Sequence, residues 1–312
     1  MFVTTLKLED LSDNKILIKL PRNNLFKIHN FYLLSEWSTN RSGSINTLSI
    51  YVDVEDKEEA NKDIRFMIDL LNFMYNIDLT ITTSYMISET KNLPMTKWIH
   101  SNETKNKNII KINNALTLLF ETESKKQKLI KKSLHYYSRS LKLSELELYE
   151  EAFLSVYKPI KLISNDVYKN HHQKDFNDAI SSVMPNLLKE LFDEEFKEEG
   201  KDNDINNLIV PMLEGILTQR RKIKNTLLFL KLEREVDYCG KLVRLRNNAA
   251  SHGNSRNSNI GIYEYVNCMI LSKEIITAYL LGEKSDLTQL DVKRKDWFKN
   301  AAIFNDRRER TR

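Results

Sequence analysis

The apolar positions of this 312-residue chain change period along its length. In the first third they fall in short runs of β-branched and aromatic residues, at Thr4 to Leu8, Lys15 to Leu20, Lys27 to Leu34, Ile45 to Val54 and Asp78 to Ile87. Several runs alternate apolar with polar, as strands with one buried face do. Turn-forming residues at Asp13-Asn14, Pro21 to Asn24 and Asn40 to Gly43 separate them. Between the last two runs, Ile64, Met67, Ile68, Leu71 and Met74 or Tyr75 recur at helical spacing and predict a helix over 57–75. The expectation is a small sheet with at least one helix packed on it, over residues 1–100.

The polar stretch Ser101 to Asn108 reads as a linker or long loop, and the domain boundary is expected near it. Beyond it the period is helical, and residues 108–282 read as an all-helical domain. Patterns run from Ile110 to Leu119, from Ser124 through Leu129, Leu134, Tyr137 and Leu141, and from Leu148 to Ile163. Ser144-Glu-Leu-Glu147 has the form of a capping box for the third, and Pro159 inside it predicts a kink. A helical pattern from Asp175 to Gly200 has Pro185 as a restart and Gly200 as a stop. The segment Leu208 to Ala250 carries one apolar stripe through Leu228, Leu232, Val236, Cys239, Leu242 or Val243, and Leu245. A last helix holds Ile262, Val266, Met269 or Ile270, Ile276 and Leu280, and ends at Gly282. Residues 283–312 form a basic amphipathic tail around Trp297-Phe298 and Phe304. The fold class expected is α+β: an N-terminal α/β domain, then a helical bundle.

Composition narrows the class. With 41% hydrophobic and 29% charged residues the chain reads as a soluble globular protein. No apolar run approaches a membrane span, and the start Met1-Phe-Val-Thr-Thr-Leu-Lys7 lacks a charged leader before a hydrophobic block, so no membrane partner and a cytoplasmic location are expected. Cys239 and Cys268 read as buried free thiols, and the His171-His172 pair as an ordinary surface pair, with neither a metal nor a cofactor expected. Trp37, His29 and Arg41 are candidates to line a pocket, with partial burial as the plainer reading.

Charge is unevenly spread around a net +5. Residues 220–256 hold ten Lys or Arg against three acids, whereas residues 190–204 hold eight acids against two Lys. The basic block encloses the run Arg244-Leu-Arg-Asn-Asn-Ala-Ala-Ser-His252-Gly-Asn254. Arg246 offers a planar guanidinium fork suited to a phosphate, and His252 is the side chain of the run that titrates near neutral pH. On an uninterrupted helix the two would sit about 240° apart. A helix end at Gly253-Asn254 would let the chain bend and bring them together.

Arg246, the polar Asn247 after it and His252 beyond a spacer of five residues (247 to 251) resemble the motif of HEPN-domain ribonucleases. The resemblance covers roughly residues 108–282. It implies metal-independent cleavage of RNA, tRNA among the candidate substrates, with His252 as general base or acid, Arg246 holding the phosphate, and Asn247 orienting the His or contacting RNA. The products would carry a 2′,3′-cyclic phosphate and a 5′-hydroxyl. The resemblance also implies a homodimer with two motifs facing a shared cleft, in a toxin or antiviral-defence role, with an antitoxin or a sensor as a further partner. The first hundred residues would then sense or restrain. Arg244, Asn248, Arg220, Arg221 and Arg256 are the expected RNA contacts, and Arg244, with a spacer of seven, is the alternative Arg of the motif. The chain departs from the family at Lys161, where an acid of an earlier helix would align; Glu150 and Glu151 lie one or more turns earlier. The alternative function is a non-catalytic HEPN-like module that binds RNA or nucleotide, or assembles with another protein, through the same basic face.

Overall fold

The computed structural model describes residues 1–7, 9–10, 15–16, 20–21, 24–40, 43–80, 86–94, 97–100, 104–176, 178, 218–250 and 260–281. The chain is α+β and divides into two compact units, Met1–Pro159 with Asn259–Arg312, and Ile160–Ser258. The division falls at Pro159, inside a helix.

In the first unit, strands β1 (Phe2–Lys7), β4 (Asn24–Ile28), β5 (Phe31–Asn40), β6 (Gly43–Val52), β7 (Ser88–Glu89) and β8 (Lys97–His100) form one sheet in the order β7-β1-β6-β5-β4-β8. β2 (Glu9–Asp10) pairs with β3 (Lys15–Ile16) in a separate ribbon. The main sheet is antiparallel except where β8 joins β4. The run Lys27 to Leu34, expected as one strand, is a hairpin: Ile28 pairs with Phe31, and His29 takes φ 54° at the first of the two turn positions. A positive φ there gives a two-residue turn the twist its flanking strands need. Its apolar continuity misled because β5 is buried on both faces. Phe31, Leu33 and Ser35 point one way, and Phe31 meets Phe66 of the overlying helix at 6.4 Å between ring centroids. Tyr32 and Leu34 point the other way, into a cluster with Leu25 and Tyr51 that Met1, Val3 and Leu93 cover.

The expected helix is α1 (Lys57–Tyr75), with the Asp56 carboxylate capping Glu59 N at 2.9 Å and Asn76 leaving the helix at φ 55°. It lies on β1 and β6 and carries α3 (Ser124–Glu145) on its other side. Helices α2 (Lys107–Phe120) and α7 (Ile262–Leu281) complete this unit with the first part of α4 (Tyr149–Val167). α7 buries 14 of its 20 residues, so it is enclosed nearly all round. The run expected as a strand at 78–87 lies partly outside the described residues; its start is a turn, in which the Asp78 carboxylate accepts from Thr80 N at 2.9 Å.

Ser144 and Glu147 do not make the expected capping box. Ser144 stays inside α3, its hydroxyl donating to Leu141 O at 2.8 Å. Glu147 takes φ 62°, and Leu148 N returns to Leu143 O at 3.0 Å, which is a Schellman ending of α3 rather than an N-cap of α4. The apolar face expected for α4 is present: Phe153, Val156, Tyr157, Ile160 and Ile163 are all buried.

The second unit continues α4 into a π-helix (Tyr168–His172), followed in the described residues by α5 (Gln219–Phe229), a short 3-10 turn (Glu233–Glu235) and α6 (Tyr238–Ala250). The single stripe read over Leu208 to Ala250 is therefore broken. Lys231 takes φ 58°, Lys231 N bonds to Leu228 O at 3.1 Å and Leu232 N to Leu227 O at 2.7 Å. Burial of Leu232 just past this bend seals the helix end, leaving Leu228 exposed. Residues 179–217 and the tail 282–312, with Pro185, Gly200, Pro211 and Gly282 among them, lie outside the described residues.

Candidate functional site

The motif sits at the end of α6. Along that helix the buried stripe is Cys239, Leu242 and Ala249, and the three-four spacing leaves one place in it for residue 246. An apolar residue would fill the place at no electrostatic cost. Arg246 stands there instead, half-buried, its Nη1 donating to the Asn247 side-chain oxygen at 3.1 Å. The fork is thus held by its neighbour, and a half-buried guanidinium interacts more strongly with an anion than one in open water. Arg244, Asn247 and Asn248 are exposed and, at spacings of three and four, share the outer face of the helix.

α6 is helical through Ala250, and α7 begins at Ile262. His252, Gly253, Asn254 and Arg256 lie between, outside the described residues. Arg246 and Asn247 are therefore the part of the motif whose geometry is described.

Arg220 and Arg221 fall in the first turn of α5, which contains no acid and has no side-chain cap at Thr218. Positive charge there opposes the helix dipole, a placement that costs about 0.3–1 kcal/mol per charge at an exposed site. Helix stability does not account for it. Arg220 reaches over the start of α6, where an added Cβ at Gly240 would lie 3.4 Å from Arg220 Cζ. Burial pushes the Cys239 thiol up to about 11 against the pull of Arg220 and Lys224, so the thiol stays protonated and unreactive. Both cysteines are free and buried, as expected.

Three side-chain groupings were not anticipated. His171 and His172, read as an ordinary pair, both meet Phe229: His171 stacks on it at 4.3 Å and 29°, and His172 approaches edge-on at 6.1 Å and 85°. In the first unit, His135 Nδ1 lies 3.1 Å from Asp69 Oδ2, and Arg65 Nη2 lies 3.2 Å from His135 Nε2. Lys273, within the apolar α7, is buried and bonded to the end of α1. None had a local signal, because the partners stand 57 to 200 residues apart, apart from the short step from Arg65 to Asp69.

Of the other candidates, His29 Nε2 meets Thr117 Oγ1 at 3.1 Å and its ring packs on Phe120 at 5.1 Å, which is a packing role. Arg41 and the Trp37 side chain lie outside the described part. Lys161 is exposed on α4, and Glu150 and Glu151 occupy the first turn of that helix, where acids complement its dipole. Among the described residues no group of three His, Cys, Asp or Glu is placed to hold a metal, and no helix is long and apolar enough to cross a membrane.

No protein-family model matches the chain, and neither a curated protein nor a solved structure matches it.

Proposed function

We propose that this chain is an RNA endonuclease of the HEPN type, acting as a homodimer without a resident metal or cofactor. The observation that carries the reading is Arg246, half-buried in line with the stripe Cys239, Leu242 and Ala249 of α6, a place where a cation serves an anionic ligand better than it serves packing. RNA brings its own nucleophile, the 2′-hydroxyl. Cleavage then needs a base to take its proton, an acid to protonate the leaving 5′-oxygen, and donors for the charge that grows on the phosphate. Arg246 supplies the donors, His252 the proton transfer, and Asn247 fixes the guanidinium. Attack by the 2′-oxygen expels the 5′-oxygen, so the products carry a 2′,3′-cyclic phosphate and a 5′-hydroxyl.

One Arg and one His are a thin set for both proton transfers, and a two-fold axis would double it. Arg244, Asn248, Arg220, Arg221 and Arg256 hold the RNA backbone. The segment 220–256 that encloses the motif carries ten Lys or Arg against three Asp or Glu, a local balance suited to a polyanion. A toxin or antiphage role, with an antitoxin or sensor as partner, follows from the resemblance to the family.

Growth on expression tests the reading. The wild-type chain slows growth of its host and His252→Ala restores it. Equal tolerance of both forms, with RNA binding retained, favours the non-catalytic module, for which Lys161 in place of an acid is the supporting feature.

A further inference from the structure

The π-helix of the second unit, His171 and His172 within it and the exposed end of α5 form a surface that the cleavage chemistry does not use. The π-helix is closed by an i→i+5 bond, Gln173 N to Tyr168 O. Such turns insert a residue into a helix and recur at functional sites. Here the insertion presents two consecutive histidines to one ring, Phe229. A packing role would bury that ring. Phe229 is instead 44% exposed, Leu228 beside it 46%, and His171 is exposed as well. The same two elements carry cations: Lys222 Nζ of α5 sits 4.9 Å from the centre of Tyr168, the first residue of the π-helix, and Lys169 is exposed on the π-helix itself.

We propose that Phe229 and His171 form a stacking platform for an unpaired base of single-stranded RNA. The proposal rests on the reading of this chain as an RNA-binding enzyme and names the form of RNA it takes. An open aromatic face accepts any base, because every base has a π face, and adjacent cations hold the backbone that links successive bases. Paired bases in a duplex already have both faces covered, so the platform selects single strands, loops and ends. An acidic peptide would satisfy the cations but would not require the flat face.

The test is binding of a fluorescein-labelled single-stranded RNA of about 12 nucleotides, and of a blunt duplex of equal length, to the full chain carrying His252→Ala so that the RNA is not cut. A second single strand carrying 2-aminopurine reports stacking by fluorescence quenching. Expected are preference for the single strand, quenching on binding, and about tenfold weaker binding in Phe229→Leu and in His171→Ala, with Phe229→Trp retaining affinity. Circular dichroism establishes that each variant is folded. Unchanged affinity in folded Phe229→Leu and His171→Ala, or equal binding of duplex and single strand, overturns the platform. Loss of binding in Arg246→Ala beside unchanged binding in Phe229→Leu overturns the platform alone and leaves the ribonuclease reading standing. Absence of RNA binding by the His252→Ala chain, with wild type and Phe229→Leu equally inactive, overturns both. Binding of a poly-glutamate peptide in place of RNA overturns the platform in favour of a protein partner.

Discussion

Lys273 Nζ donates to the Phe73 carbonyl at 2.7 Å, joining the middle of α7 to the last turn of α1 across 200 residues of sequence. It also donates to Asn76 Oδ1 at 2.7 Å and Met74 O at 3.3 Å, so a cation meets the unpaired carbonyls and the negative end of the α1 dipole. Burial nevertheless lowers its ammonium to about 7 from the ordinary 10.5. The unfolded chain therefore binds the extra proton between these values, and stability rises with pH through that window. The buried thiols of Cys239 and Cys268 and the hydroxyls of Tyr75, Tyr137 and Tyr265, all raised by burial, act with the opposite sign at higher pH. The Lys273 effect is thus read between about pH 7 and 8.5, where urea unfolding should show a slope approaching ~1.4 kcal/mol per pH unit. Lys273→Met should flatten that slope and lower stability at pH 7, since two carbonyls and an amide oxygen lose their donor.

Lys231 holds φ 58° at the end of α5, where glycine is the residue of least strain. Lys231→Gly should raise stability by about 0.5–1 kcal/mol, the residual of relieved strain over the added entropy of the unfolded chain. Denaturant midpoints at constant slope would register the gain. A loss would mean that the lysine side chain contributes more than the bend.

Arg221 stands exposed in the first turn of α5, against the helix dipole. Arg221→Gln should therefore cost no stability and gain a few tenths of a kcal/mol at low salt. In RNA binding it should reduce the salt dependence by about 0.7 in the log–log slope, the share of one phosphate on a single strand. An unchanged slope would remove Arg221 from the RNA contacts.

How much was legible in the sequence differs by element. α1 is legible in the stripe of Ile64, Met67, Ile68 and Leu71 that one sheet face requires, and the structure caps it at Asp56 and Asn76. α2, α3 and α7 were legible for the same reason. The hairpin at His29-Asn30 was not, because β5 is covered on both sides and its apolar run continues through a turn that contains no glycine. The breaks at Glu147 and Lys231 were hidden likewise: charged residues occupy left-handed positions that sequence patterns assign to glycine or asparagine. At the site, Arg246 and Asn247 were legible as chemistry from their types and order. The alignment of Arg246 with the buried stripe of α6, and of Asn247 with its outer face, depends on the phase of the helix, which the break at Lys231 resets. The rings around Phe229 join segments more than fifty residues apart and left no local trace.

The proposed ribonuclease activity needs Arg246 and His252 to act on one phosphate together. Its most direct test is incubation of purified full-length protein with end-labelled tRNA and total RNA in EDTA, beside Arg246→Ala and His252→Ala, with the product ends mapped chemically. Expected are cleavage by the wild type, loss of about a thousandfold or more in each variant if the two residues act as a unit, and 2′,3′-cyclic phosphate with 5′-hydroxyl ends. Cleavage that both variants retain, or products ending in a 3′-hydroxyl and a 5′-phosphate, would contradict it.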